Sequence, residues 1–164
     1  MTQLWTPAYV AIGANLDDPR ARVTEAFEHL AAVRSTMLVA RSRLYRSAPL
    51  GPRDQPDFVN ACAGLLTQLS ALEVLIELKN LEQVLGRAVP VVRWGPRRID
   101  FDLLVFGAEQ IQSETLTVPH PGVPARNFVL YPLLDIAPDL IVPGHGRVRE
   151  LASRVAADGL SALA

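Results

Sequence analysis

Two acids one residue apart, Asp100 and Asp102, follow directly on paired arginines in the run Arg97-Arg98-Ile99-Asp100-Phe101-Asp102-Leu103-Leu104. In an extended chain the side chains alternate, so both carboxylates share a face with Cα atoms roughly 6.5–7 Å apart. Ile99, Phe101 and Leu103 then take the opposite face. Two hard oxygen ligands side by side suit a divalent cation, and magnesium on nucleotide phosphates is commonly held by one or two carboxylates. Such ions neutralise charge developing in phosphoryl-type transfer. Taken alone, the D-x-D pair reads more readily as a solvent-facing stripe on an amphipathic strand. Upstream, residues 87–98 hold Arg87, Arg93, Arg97 and Arg98, with Trp94, Gly95 and Pro96 and no acid. Arginine forks grip phosphate oxygens bidentately. A glycosidase also uses paired acids, but it would not require four arginines beside them. On the residues alone, a magnesium–nucleotide site and a solvated charge run with Trp94 plugging the core both stay open.

A second constellation lies in the loop Leu50-Gly-Pro-Arg-Asp-Gln-Pro-Asp-Phe58-Val59-Asn60. Phe58 and Asn60 are two residues apart, again on one strand face. An asparagine amide offers a donor and an acceptor, which suits the amide edge of a flat heterocycle. Aromatic rings supply stacking, and Phe128 is a second candidate wall. Taken singly, each phenylalanine reads more readily as a core residue than as a ligand wall.

The surrounding pattern defines the elements that must position these groups. Ala8–Gly13 reads as a buried strand, and Asp17, Asp18 and Pro19 open a helix carrying Val23, Ala26, Phe27 and Leu30 at helical spacing. Met37–Tyr45 reads as one strand and Phe58–Thr67 as another, separated by a proline-rich loop. Ser70 and Glu73 form a capping box, after which Leu72, Leu75, Ile76, Leu81 and Leu85 run down one helix to Gly86. Ile99–Phe106 is a strand and Gln110–Val118 another; helices follow near Ala125–Leu134 and over Val148–Ala157. The order predicts an α+β fold with a ferredoxin-like β-α-β-β-α-β core, an antiparallel sheet with helices packed on it, and a C-terminal hairpin/helix extension. No repeat or linker divides the chain, so residues 1–164 are expected to form a single domain.

The chain has 164 residues, 49% hydrophobic and 20% charged, enough for a core without staples. Its single cysteine, Cys62, excludes an internal disulfide framework and fits a reducing compartment. Of 16 basic residues 15 are Arg, and only Lys79 is Lys. No GK[ST] occurs, which excludes a P-loop. A net charge of −1 argues against nucleic acid, and no apolar run approaches a membrane span. A soluble cytoplasmic monomer acting on small molecules is expected.

Together the segments resemble a known family. Arg93-Trp-Gly-Pro-Arg97 with Asp100-Phe-Asp102 resembles the signature of 6-hydroxymethyl-7,8-dihydropterin pyrophosphokinase of folate biosynthesis. Ala11-Ile-Gly-Ala-Asn-Leu16, the loop Pro49–Asn60, Thr117-Val-Pro-His120, Phe128–Leu133 and Ile136–Asp139 are similar in order along the chain. The resemblance implies pyrophosphate transfer from ATP to the pterin hydroxymethyl oxygen, releasing AMP. It implies two Mg2+ ions on Asp100 and Asp102, with Arg87 and Arg97 also in catalytic roles. Pterin binding falls on Ser47, Ala48, Leu50, Phe58, Asn60, Trp94 and Phe128. ATP binding falls on Glu82, Arg87, Arg97, Leu103, Thr117, His120 and Arg126. Trp94 and its loop would form a mobile cover.

The sequence departs from the family pattern at Phe58, where Tyr is frequent, at the apolar stretch 88–92, and at Thr115 and Pro121. The rival readings are a catalytically inactive pterin- or nucleotide-binding module of the same fold, or a ferredoxin-like RNA binder. The latter is opposed by the charge and by the lack of an aromatic-rich strand.

Overall fold

The computed structural model describes residues 4–86 and 94–163. Strand β1 (Thr6–Ala14) alternates burial with period two: Ala8, Val10, Ile12 and Ala14 are at most 1% exposed, while Tyr9, Ala11 and Gly13 face the other way. Asp18 caps helix α1 (Pro19–Ala31), its carboxylate accepting from the Ala21 N–H at 3.3 Å, with Pro19 at the start where no donor is needed. Val23, Ala26, Phe27 and Leu30 bury against the first face of β1, as their spacing predicts.

The expected strand Met37–Tyr45 is two strands, β2 (Thr36–Arg41) and β3 (Tyr45–Ser47). Ser42 causes the break. Its backbone N–H donates to Cys62 O at 2.9 Å, and its hydroxyl accepts from the Cys62 N–H at 2.8 Å. One side chain therefore replaces a backbone rung, and the five residues Arg41 to Tyr45 lie opposite only four, Ala63 to Asn60. Strand β4 (Phe58–Thr67) takes both pieces on one edge and β1 on the other. The Ser70–Glu73 capping box is formed, at 2.9 and 3.1 Å, and starts helix α2 (Ala71–Gly86). That helix buries Ala71, Val74 and Leu78; Leu72 and Ile76, expected on the packed face, are each 51% exposed.

Strand β5 (Asp100–Phe106) closes the sheet on the free edge of β1. The order β3-β4-β1-β5, all antiparallel, is the ferredoxin-like arrangement. The expected strand Gln110–Val118 is a hairpin of β6 (Ile111–Gln112) and β7 (Thr117–Val118). Helix α3 (Asn127–Ile136) begins two residues later than its pattern suggests. A hairpin, β8 (Ile141–Val142) and β9 (Gly146–Arg147), leads to α4 (Val148–Ser153), which stops short of Ala157. A last strand without a sequence signal, β10 (Leu160–Ala162), extends the sheet beside β3.

The sheet separates two cores. Helices α1 and α2 cover one face; α3 and α4 cover part of the other with Val129, Leu130, Leu133 and Leu151. Ile136, at the end of α3, lies near Gly64, and the Asp135 carboxylate accepts from Tyr45 OH at 2.8 Å and from Arg43 Nη2 at 2.9 Å. This pins the far end of α3. Its N-terminus, with Phe128, points toward the sheet end that no helix covers.

Candidate active site

A cavity of about 330 Å³ opens at that end of the second sheet face. Its floor comes from three neighbouring strands. Gly13 of β1 is paired with Asn60 of β4 on one side and Asp100 of β5 on the other, and Ala11 is paired with Asp102. Residues directly opposite in register share a face, so the two constellations of the sequence meet across Gly13. Neighbouring strands lie about 4.8 Å apart, which puts Asn60 and Asp100 roughly 10 Å apart. A bicyclic ring and its side-chain carbon can bridge that gap.

On the β4 side Asn60 is 8% exposed, and its Nδ2 donates to Ser47 Oγ. Its Oδ1 lies over Gly13, where a Cβ added to the glycine would come within 3.0 Å. Phe58 and Phe128 stand in the same wall, with Ala48 and Leu50 at the loop. The Arg126 guanidinium rests over two rings, 5.7 Å from the Trp94 centroid and 5.8 Å from that of Phe128. It brings a fixed positive charge to the cavity mouth.

On the β5 side both carboxylates line the cavity while Ile99, Phe101 and Leu103 are buried opposite, as strand alternation requires. Burial, then the neighbouring Asp100 charge, raises the Asp102 carboxyl from 3.8 to about 6. Some 41% of the side chain is open to the cavity, so water reaches the raised carboxyl. Glu82 reaches from α2 to accept the edge N–H of Phe101 at 2.8 Å; burial, with Asp100 nearby, raises it to about 7.

A register shift between Tyr9 and Val10 leaves Leu104 out of the pairing with β1. The Leu104 carbonyl accepts from His120 N at 2.8 Å, which sets the imidazole beside Asp102. His120 Nδ1 accepts from the Gly122 N–H at 3.0 Å, so its Nε2 carries the proton, 3.9 Å from Asp102 Oδ1. Burial and Arg126 lower the His120 pKa and keep the ring neutral.

Among the described residues no cluster of three or more metal-ligating side chains forms. The donor set is the carboxylate pair, and two crowded acids in a partly dry cavity fit a cation whose remaining ligands are phosphate oxygens and water.

The family model for 7,8-dihydro-6-hydroxymethylpterin-pyrophosphokinase (HPPK) matches residues 9–138. The chain belongs to this family. A Haemophilus influenzae relative named 2-amino-4-hydroxy-6-hydroxymethyldihydropteridine pyrophosphokinase is 44% identical over 149 residues, 91% of this chain and 92% of its own length. A Pseudomonas aeruginosa relative of the same name is 45% identical over 155 residues, 94% and 95% of the two chains. A crystal structure of Plasmodium falciparum HPPK-DHPS superposes with a TM-score of 0.67 at 14% identity, covering 92% of this chain but 45% of that one. That likeness shows the fold.

Of the residues the HPPK signature singles out, the cavity gathers Ser47, Ala48, Leu50, Phe58, Asn60, Trp94, Arg97, Asp100, Asp102, His120, Arg126 and Phe128. Glu82 stands behind Asp100, outside the lining. Thr117 is exposed on the β6–β7 hairpin. The Leu103 side chain is 3% exposed in the core under α1 and α2, so its expected contact with a nucleotide falls to its backbone. Arg98 turns away to Asp17 at 2.6 Å. Arg87 and Arg93 lie outside the described residues. The floor residues Ala11 and Gly13 carry no role in the sequence reading. Their signal is the alternation of small residues with Val10 and Ile12 along β1.

Proposed function

We propose that this chain transfers pyrophosphate from ATP to the hydroxymethyl oxygen of 6-hydroxymethyl-7,8-dihydropterin, releasing AMP; the pyrophosphokinase names of its HPPK relatives support this reading. One observation supports this most: the heterocycle-reading side and the carboxylate pair share a single sheet face, joined in register through Gly13. The pterin ring stacks between Phe58 and Phe128, and the Asn60 amide oxygen accepts from the ring's N–H edge while Ser47 holds the amide in orientation.

Asp100 and Asp102 would hold two Mg2+ ions. When bound, these would supply charge neutralisation on the ATP phosphates. Arg97 and Arg126, which line the cavity, would meet the β- and γ-phosphates, and the neutral His120 would donate its Nε2–H to a phosphate oxygen. The hydroxymethyl oxygen attacks the β-phosphorus in line; its bond to phosphorus forms as the bond to the α,β-bridging oxygen breaks, and AMP leaves with that oxygen. The chain's part is positioning and electrostatic stabilisation, with no covalent enzyme intermediate.

The whole of 1–164 serves this reaction as one domain, a monomer acting in the cytoplasm. No described helix is long and apolar enough to cross a membrane.

The test incubates purified protein with ATP, magnesium and the pterin. AMP should appear only when the pterin is present, in equal amount with pterin diphosphate. Binding of both ligands with no AMP would instead fit the inactive binding module.

A further inference from the structure

Two buried amides outside the cavity join two of its walls, the proline-rich loop and the segment 94–97. Asn15, at the end of β1, is 2% exposed and Gln55, in the proline-rich loop, is 9% exposed. Asn15 clasps the main chain of Arg97 at two points: its N–H donates to Arg97 O at 2.9 Å, and its Oδ1 accepts from Arg97 N at 2.8 Å. Its Nδ2 donates to Gln55 Oε1 at 3.0 Å and Pro56 O at 2.9 Å. Gln55 Nε2 then donates to Trp94 O at 2.9 Å.

The seam tolerates little change. A Cβ on Gly51 would fall 2.1 Å from Trp94 O, so only glycine lets the loop back against Trp94. Trp94 itself has φ +62°, a left-handed conformation rare for a bulky residue and held only where the surroundings demand it. Drawing either wall away leaves buried amide groups without partners, which is costly.

We propose that Gln55, seated on Asn15, is a positioning residue that fixes Trp94 and Arg97 to the pterin-side loop, so that binding at the pterin wall favours binding at the phosphate wall. Neither amide touches the cavity, so each acts through the residues it holds. The coupling rests on the functional reading above; the placement of Trp94 does not.

The test uses Gln55→Glu in a Trp5→Phe background, where Trp94 is the sole tryptophan. Glutamate keeps the acceptor toward Asn15 but turns an oxygen on Trp94 O in place of a donor. Two readouts separate the claims: acrylamide quenching of Trp94 without ligand, and pterin affinity with and without Mg2+ and a non-hydrolysable ATP analogue. We expect quenching to rise about twofold. The mutual enhancement of the two ligands should fall from the 5–150-fold typical of coupled sites to about twofold or less. Each ligand alone should bind within about threefold of the parent.

A folded Gln55→Glu protein with unchanged quenching and unchanged coupling overturns the proposal, as does a parent that binds both ligands with no mutual effect. A parent that binds neither ligand, while quenching still rises in the variant, overturns the functional reading and leaves the positioning role standing. Should Gln55→Glu fail to fold, Gly51→Ala perturbs the same seam from the other side and must give the same two changes.

Discussion

Replacing Gly13 with alanine should separate the two halves of the site. The new Cβ would stand 3.0 Å from Asn60 Oδ1, with its next neighbours, Phe58 Cδ1 and Val59 O, at 4.0 Å. All three belong to β4, so the methyl leans on the pterin wall and not on the carboxylates. Asn60 has little room to yield, because it is 8% exposed and its Nδ2 is tied to Ser47. Displacing its amide by a few tenths of an ångström weakens the one or two hydrogen bonds it offers the ring. At about 1 kcal/mol each, rising when a buried group is left unpaired, pterin affinity should drop about 10- to 100-fold. The fold should not suffer, since alanine suits a strand interior better than glycine. Calorimetry with the pterin and, separately, with Mg2+ and an ATP analogue checks this. The analogue should bind within about twofold of the parent. Pterin affinity unchanged within twofold would refute the placement of Asn60 over Gly13 as the reading group.

Asp102→Asn should lower AMP formation about a thousandfold while leaving the melting temperature equal or higher above pH 7, because a half-buried charge crowded by Asp100 is removed; near-parent turnover would reject Asp102 as a magnesium ligand. The raised Asp102 and Glu82 carboxyls, near 6 and 7 against 3.8 and 4.5, give a pH dependence of definite sign. The folded chain keeps protons that the unfolded chain has released, so this share of stability is full below pH 3.8 and is lost as pH rises through about 6 and 7. Melting of the ligand-free protein should show a downward contribution between about pH 4 and 7 that Asp102→Asn reduces; an identical profile for the variant would contradict it. Ser70→Ala removes one half of the capping box and should cost about 1 kcal/mol, a melting shift of about 2–4 °C, with turnover unchanged.

What the chain discloses in one dimension follows from local chemistry. The shared face of Asp100 and Asp102 is legible because strand alternation is local, and so are the Ser70–Glu73 cap and the apolar face of α1. The split between β2 and β3 is not, because a serine hydroxyl opposite Cys62 replaces a backbone rung, and nothing in Met37–Tyr45 marks it. Leu72 and Ile76 mislead because α2 carries two apolar stripes, and only packing chooses the one through Val74 and Leu78. Three residues of β10 carry no pattern and owe their conformation to β3. In the site, the groups proposed to meet substrates can be read from their chemistry. Gly13, Asn15 and Gln55 cannot, since their roles exist only once β4 and β5 flank β1 and two distant loops meet.

Which group moves from ATP is decided most directly by isotopic labelling. With label at the γ-phosphorus, the pterin product should carry the label, and with label at the α-phosphorus all of it should remain in AMP. Labelled inorganic phosphate with ADP, or label at the pterin without AMP, would contradict pyrophosphate transfer at this site.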